Sequence, residues 1–265
     1  MPPYRVVPGA PGSPVVLHVP HGSRVVPGAV RRRLLLGDGA LEAELDLMTD
    51  GHTGALAAGA AGRAAARPWV FENLTSRLVV DPERFPDERE EMRAAGMGAV
   101  YTRTAHGKVL RADDKAHEEE LLAAYFRPYA RAVTRLVDER LAATGRAAVI
   151  DVHSYPSRAL PYELRPGGER PVICIGTDGF HTPAWLLGAA LEAFAPCGRV
   201  ALDSPFAGCY VPLRHWRRTP AVSALMVEVR RDAYQVEPFG PLTGGFDPLV
   251  RALARLADAA ASAPR

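Results

Sequence analysis

An α/β fold with a mixed, largely parallel central sheet and helices on both faces is predicted by three observations. Short apolar runs alternate with helical stretches along the chain, one run (Ala147 to Val152) is apolar nearly throughout, and two runs lead directly into histidines. At 265 residues with 48% apolar composition, the chain is long enough to bury a large core. A single domain over 1–265 is expected, with 1–14 as an irregular Pro/Gly-rich segment.

The elements follow in order. Val15 to Leu17 reads as a buried strand ending in the sharp loop His-Val-Pro-His-Gly. Leu41, Leu45, Met48, His52 and Leu56 recur at three- and four-residue steps, predicting one helix from Ala40 to about Ala61 with Asp46 and Asp50 together on another face. The Ala/Gly/Arg stretch from Ala57 to Arg67 reads as a helix end and connection. Pro68 to Glu72 and Leu78 to Val80 read as strands, and Pro82 to about Asp113 as a long irregular segment able to cover a site. A long amphipathic helix spans Asp114 to Ala143, with a kink expected at Pro128 and a stop at Gly145. Strands follow at Ala147 to Val152, Val172 to Ile175, Val200 to Leu202 and Val222 to Val229, with helices at about Pro183 to Phe194 and Pro248 to Ala261.

Composition narrows the function. Thirty-two basic and 30 acidic residues leave a net charge of +2 with no dominant field, which argues against nucleic-acid binding. Cys174, Cys197 and Cys209 are odd in number, widely spaced and outside any CxxC pattern, so a reducing cytoplasm is expected and a disulfide framework is not. The start, MPPYRVVPGAPGSP, lacks the apolar stretch of a signal peptide, and no apolar run approaches membrane-spanning length. Oligomeric state stays open.

The residues with chemistry cluster at strand ends. Asp151 and His153 lie two apart in Ala-Val-Ile-Asp-Val-His-Ser, so they share one face of an extended strand, where a carboxylate can orient an imidazole. His21 is a second strand-end imidazole, and His18 before it suits a supporting or core position. Two histidines and one carboxylate make a catalytic metal set. The acid must come from elsewhere, with Asp46 or Asp50 as candidates. Glu228, alone in an apolar strand, is costly to bury without a purpose and is the candidate general base for the attacking water; pairing with Arg230 or Arg231 is the structural alternative. Arg77 and Arg84 offer forked donors for a substrate carboxylate. Ser154 lacks a GxSxG elbow, and phosphate-binding glycine loops are absent.

Five blocks in order, His18-Val-Pro-His21, Ser76-Arg77 through Asp81-Pro-Glu83-Arg84-Phe-Pro86, Asp151-Val-His153-Ser154, Ser204 through Gly208-Cys209-Tyr210, and Val227-Glu228-Val-Arg230, resemble the N-formylglutamate amidohydrolase family over about residues 15 to 235. The family is itself similar to zinc carboxypeptidases and aspartoacylases. The resemblance implies a zinc-carboxypeptidase-like, mixed-sheet fold and one Zn2+, or another divalent ion, on His21, Asp46 and His153. Asp46 is favoured over Asp50 because it opens the family's pair of Asp residues four apart. Glu228 and Arg77 become catalytic, and Arg84, Arg77, Ser154 and Tyr210 face a small acidic substrate whose amide is cleaved. Three departures stand out: Pro-His-Gly-Ser replaces Pro-His-Ser-Gly, Glu83 replaces an Asn, and Cys209 replaces a Gly. Glu83 supports a biosynthetic amidase or deformylase with another substrate as an alternative. A non-catalytic metabolite-binding relative is a further one, which the presence of Glu228 and both histidines argues against.

Overall fold

The structure, a computed structural model, describes residues 2–163, 167 and 169–263. Its strands are β1 (Tyr4–Val7), β2 (Val15–Val19), β3 (Trp69–Asn73), β4 (Ala147–Tyr155), β5 (Ile173–Gly176), β6 (Val200–Leu202) and β7 (Val222–Arg230), and they form one sheet in the order β1-β3-β2-β4-β7-β5-β6. The four central strands, β3, β2, β4 and β7, run parallel; β1 is antiparallel to β3, and β5 is antiparallel to β7 and parallel to β6. The expected mixed, largely parallel sheet is therefore present, and its central strands put their carboxyl ends on one edge. Register places His18 opposite Asp151 and His153 opposite Glu228.

Helices α1 (Gly28–Arg31), α2 (Asp38–Met48), α3 (Thr53–Arg63), α4 (Lys115–Leu121), α5 (Arg127–Thr144), α6 (Ala184–Phe194) and α7 (Phe246–Ser262) connect and cover the strands. On one face α3, α6 and α7 bury Leu56, Phe194, Leu253 and Leu256 against Leu17, Ile150 and Val227. On the other, Tyr129, Val133 and Leu136 of α5 pack on Val16 and Phe71. No described helix is long and apolar enough to cross a membrane.

The structure revises several local expectations. The amino-terminal segment contains β1, an edge strand paired from Tyr4 to Asn73, with the Tyr4 ring stacked on Phe71 at 5.3 Å; flanking prolines and glycines had hidden so short a strand. Within Ala57 to Arg67, read as a helix end and connection, the helix runs to Arg63 and the connection begins at Ala64. Ala57, Ala60 and Ala61 are buried, and a Cβ on Gly59 would lie 3.1 Å from Val250 of α7, so small residues serve close helix packing. Leu78 to Val80 is a buried turn, not a strand. Its apolar character fills clusters with Met97, Tyr101 and Val100. Where a kink was expected at Pro128, a π-helical turn, Leu122–Phe126, stands directly before α5, with the Arg127 N–H donating to the Leu122 carbonyl. The segment from Pro82 to Asp113 is mostly irregular, as read, but anchored by buried Met92, Met97, Tyr101 and Leu110.

Ile150, fully buried in the central β4, tests this architecture. Ile150→Ala should lower unfolding free energy by about 2–5 kcal/mol in a denaturant titration. A loss under about 1 kcal/mol would mean the core is not centred there.

Candidate active site

Strand ends set the site. After β2, Pro20 and His21 carry the chain over the sheet edge; β4 delivers Asp151 and His153 on one face, and β7, its neighbour, delivers Glu228 beside His153. This is where open parallel sheets bind ligands. A cavity of about 550 Å³ lies over this edge, lined by His21, Asp50, Arg77, His153, Glu228 and Arg231 among others.

At its floor His21 Nδ1 and His153 Nδ1 are 3.2 Å apart, and Asp50 Oδ2 is 3.0 Å from His153 Nδ1 and 3.8 Å from His21 Nδ1. All three side chains are buried. The far side of each ring faces acid: His21 Nε2 is 2.9 Å from Asp81 Oδ1, and His153 Nε2 is 3.1 Å from Asp151 Oδ1 and 3.2 Å from Glu83 Oε2. His21, hydrogen-bonded to Asp81 through Nε2, carries its proton there and turns its Nδ1 lone pair the other way, whereas His153 Nε2 lies near two acids without a hydrogen bond and His153 Nδ1 hydrogen-bonds Asp50. Two ring nitrogens and a carboxylate oxygen thus converge on one point. Such a grouping repels itself unless protons or a cation sit among them, and two His with one carboxylate is the donor set of a catalytic divalent-metal site. The lining also sets Asp50, Asp81, Glu83, Asp151 and Glu228 against Arg77, Arg84 and Arg231, a surplus of negative charge that a divalent cation would balance. These residues fit a metal ion.

Electrostatics agree. Burial alone would lower the His153 pKa, but the charges of Asp151 and Glu83, the close Asp151 oxygen and the hydrogen bond to Asp50 carry it well above the ordinary histidine range. Burial would raise the Asp50 pKa, but hydrogen bonds to His153 and His21 hold it far below the usual carboxylate range. Asp81 is likewise held low against its burial, chiefly by the Arg77 charge. Glu228 behaves differently. Burial dominates and pushes its carboxyl up to about 7, and its Oε2 is buried with no hydrogen-bond partner.

The expectation that Asp46 supplies the carboxylate needs correction in placement. The single predicted helix is broken: α2 ends at Met48, Thr49 is extended, and His52 is left-handed at φ 61°. Asp46 stays on the helix surface, paired at 2.6 Å with Arg24. Past the break, the Asp50 N–H donates to the His21 carbonyl at 3.0 Å, which docks Asp50 against the histidine pair. Arg231, fixed by the Leu47 carbonyl at 2.6 Å and Ser154 Oγ at 3.2 Å, holds the other Asp50 oxygen at 3.1 Å. So Ser154 supports the carboxylate through Arg231.

Arg77 donates to Asp81 at 2.7 Å and to the Tyr101 hydroxyl at 3.1 Å, while Tyr101 donates to Asp81 at 2.5 Å. Arg84 lies 3.7 Å from Asp81 and 3.5 Å from Glu90, looser contacts that leave it accessible. Glu83 turns to His18 and His153 instead of pairing with Arg84. Tyr210 donates its backbone N–H to Asp151 at 3.2 Å and stacks on His18 at 4.5 Å; His18 binds Asp151 at 2.8 Å and Tyr129 at 2.5 Å, a supporting place. Nothing in the sequence marks Tyr101, and Arg231, expected as a structural partner of Glu228, holds Asp50 instead; the Asp that closes Leu-Val-Val-Asp is the available signal for Asp81.

The parallel strand ends gather two imidazoles, a carboxylate and a glutamate with one buried, unpartnered oxygen, a set suited to hydrolytic chemistry on an α/β fold. Residues 13–235 match the family model described as N-formylglutamate amidohydrolase, and the chain belongs to that family. Among solved structures, N-formylglutamate amidohydrolase from Ralstonia eutropha JMP134 superposes with a TM-score of 0.81 at 21% identity, covering 97% of this chain and 96% of its own. A protein from Agrobacterium tumefaciens superposes with a TM-score of 0.71 at 20% identity, covering 98% and 95%. No curated protein sequence matches the chain.

The Glu228 environment makes a prediction for metal-free protein. A carboxyl whose pKa rises on folding holds its proton more tightly when folded, so its ionisation costs stability, a cost absent in acid and complete above about pH 7. Glu228→Gln should therefore raise Tm more at pH 8 than at pH 5. An equal change at both would mean that Glu228 is not buried as a lone carboxyl.

Proposed function

We propose that the protein is a one-zinc amidohydrolase that cleaves the N-formyl or N-acyl bond of a small acidic, amino-acid-like substrate in the cytoplasm. One observation carries this reading above the others: His21 Nδ1, His153 Nδ1 and Asp50 Oδ2 converge at the strand ends that also carry Glu228, whose Oε2 is buried without a hydrogen-bond partner. His21, Asp50 and His153 are the proposed ligands, with Asp50 in the place first given to Asp46. A bound ion would polarise the scissile carbonyl and lower the pKa of water at this point.

The chain's own groups do the rest. Glu228, lying next to His153 across the β4–β7 ladder and with a buried oxygen free of partners, takes the proton of the attacking water and returns it to the departing amide nitrogen. Arg84, and the face of Arg77 not committed to Asp81, hold the substrate carboxylate or the developing oxyanion. Asp81 keeps the His21 ring oriented through Nε2, Asp151 lies 3.1 Å from His153 Nε2, and Arg231 holds Asp50 in place.

Elemental analysis of purified protein should find about one zinc per chain, and the protein should turn over members of a panel of N-formyl and N-acyl amino acids. His21→Ala, His153→Ala and Asp50→Asn should each lose most bound metal while staying folded, and Asp46→Asn should keep it. Metal loss in Asp46→Asn with retention in Asp50→Asn would reverse the assignment.

Glu228→Gln should keep its metal and bind substrate, with turnover reduced by roughly two to four powers of ten. Near-normal turnover by a folded, zinc-loaded variant would remove Glu228 from the reaction.

A further inference from the structure

A second cavity, of about 640 Å³, adjoins the one over the sheet edge, and the two share a wall: Glu83, Arg84, Gly208, Cys209 and Tyr210 line both. Its far side is Phe85, Phe126, Val211, Leu213 and Trp216, with Phe85 and Trp216 in edge contact at 5.5 Å between centroids. Phe126 and Val211 are buried side chains of the protein's own core clusters, so this side is a built apolar surface. Arg135 and Arg214 at the rim are already matched, by Glu139 at 3.7 Å and Asp138 at 3.1 Å, and Arg131 is exposed to solvent. The volume is that of a small-molecule site.

A formyl group has one carbon and would leave this space unused. Arg77 lines the first cavity alone and Arg84 the wall between the two, so the acidic end of a substrate is drawn to the first cavity and its wall, and the end that remains for the apolar side of the second is the uncharged acyl end. We propose that the second cavity is an acyl-group subsite, and that the preferred substrates are acidic amino acids carrying a medium-length aliphatic acyl group on nitrogen. This rests on the amidohydrolase reading above and deepens it. The amide sits at the shared wall, its acid end toward the arginines and its acyl chain along Phe126, Val211, Leu213 and Trp216.

The test is equilibrium binding of N-hexanoylglutamate and N-formylglutamate to full-length, metal-loaded Glu228→Gln protein by calorimetry. The hexanoyl compound should bind at least about tenfold more tightly, since each methylene that enters an apolar pocket discriminates strongly. Leu213 is 40% exposed, so a charge there is compatible with folding. Adding Leu213→Glu should abolish the hexanoyl advantage and change N-formylglutamate binding less than about twofold. Equal or weaker hexanoyl binding, or an advantage that survives Leu213→Glu, would overturn the subsite. Turnover by the unsubstituted protein separates the two readings. N-formylglutamate hydrolysis without the binding preference refutes the subsite and leaves the amidohydrolase, whereas the binding preference without hydrolysis of either compound supports the subsite and counts against the amidohydrolase.

Discussion

Everything at the site depends on two buried imidazoles being held with their Nδ1 atoms 3.2 Å apart, each with a carboxylate close behind it. Left alone, the rings would rotate or separate to escape lone-pair repulsion and to recover solvation. The sheet forbids both. His153 stands within the nine-residue buried β4, and His21 follows directly on the five-residue buried β2, its neighbour in the parallel ladder. The backbone that fixes these strands is covered by apolar helices on both faces, so the geometry is held by the stability of the whole sheet and not by the local contacts alone.

Burying so many ionisable groups is tolerable only because nearly every one has an opposite partner. Asp50 has Arg231 and the histidines, Asp81 has Arg77 and His21, and Asp151 has His18 and His153. Glu228 stands outside these pairings and keeps a raised pKa for that reason. Environment thus separates carboxylates of one chemistry into paired anions and one carboxyl with a raised pKa, the separation on which the proposed acid–base role of Glu228 rests.

Much of this was legible in the sequence because strand-end chemistry leaves a local signature. An apolar run that ends in Asp-Val-His-Ser announces both a strand and what it presents, and a lone Glu between valines announces a buried carboxyl. Period-3.6 spacing found α5 and α7. What failed were features decided by backbone breaks. Leu41 to Leu56 keeps its helical spacing through Thr49 to His52, yet the chain leaves the helix there, and that break sends Asp50 rather than Asp46 toward the histidines. Leu78 to Val80 looked like a strand because burial in a turn asks for the same residues. Arg231 and Asp81 were hard to place because their value lies in partners far along the chain, such as Asp50 and His21, which no local pattern reveals.

The most direct test of the central claim is a crystal structure of the purified protein with diffraction collected on both sides of the zinc absorption edge. One anomalous peak is predicted between His21 Nδ1, His153 Nδ1 and Asp50 Oδ2, within coordination distance of all three. A peak on His18, Glu83 and Asp151 instead, or none in protein that turns over its substrate, would contradict the account.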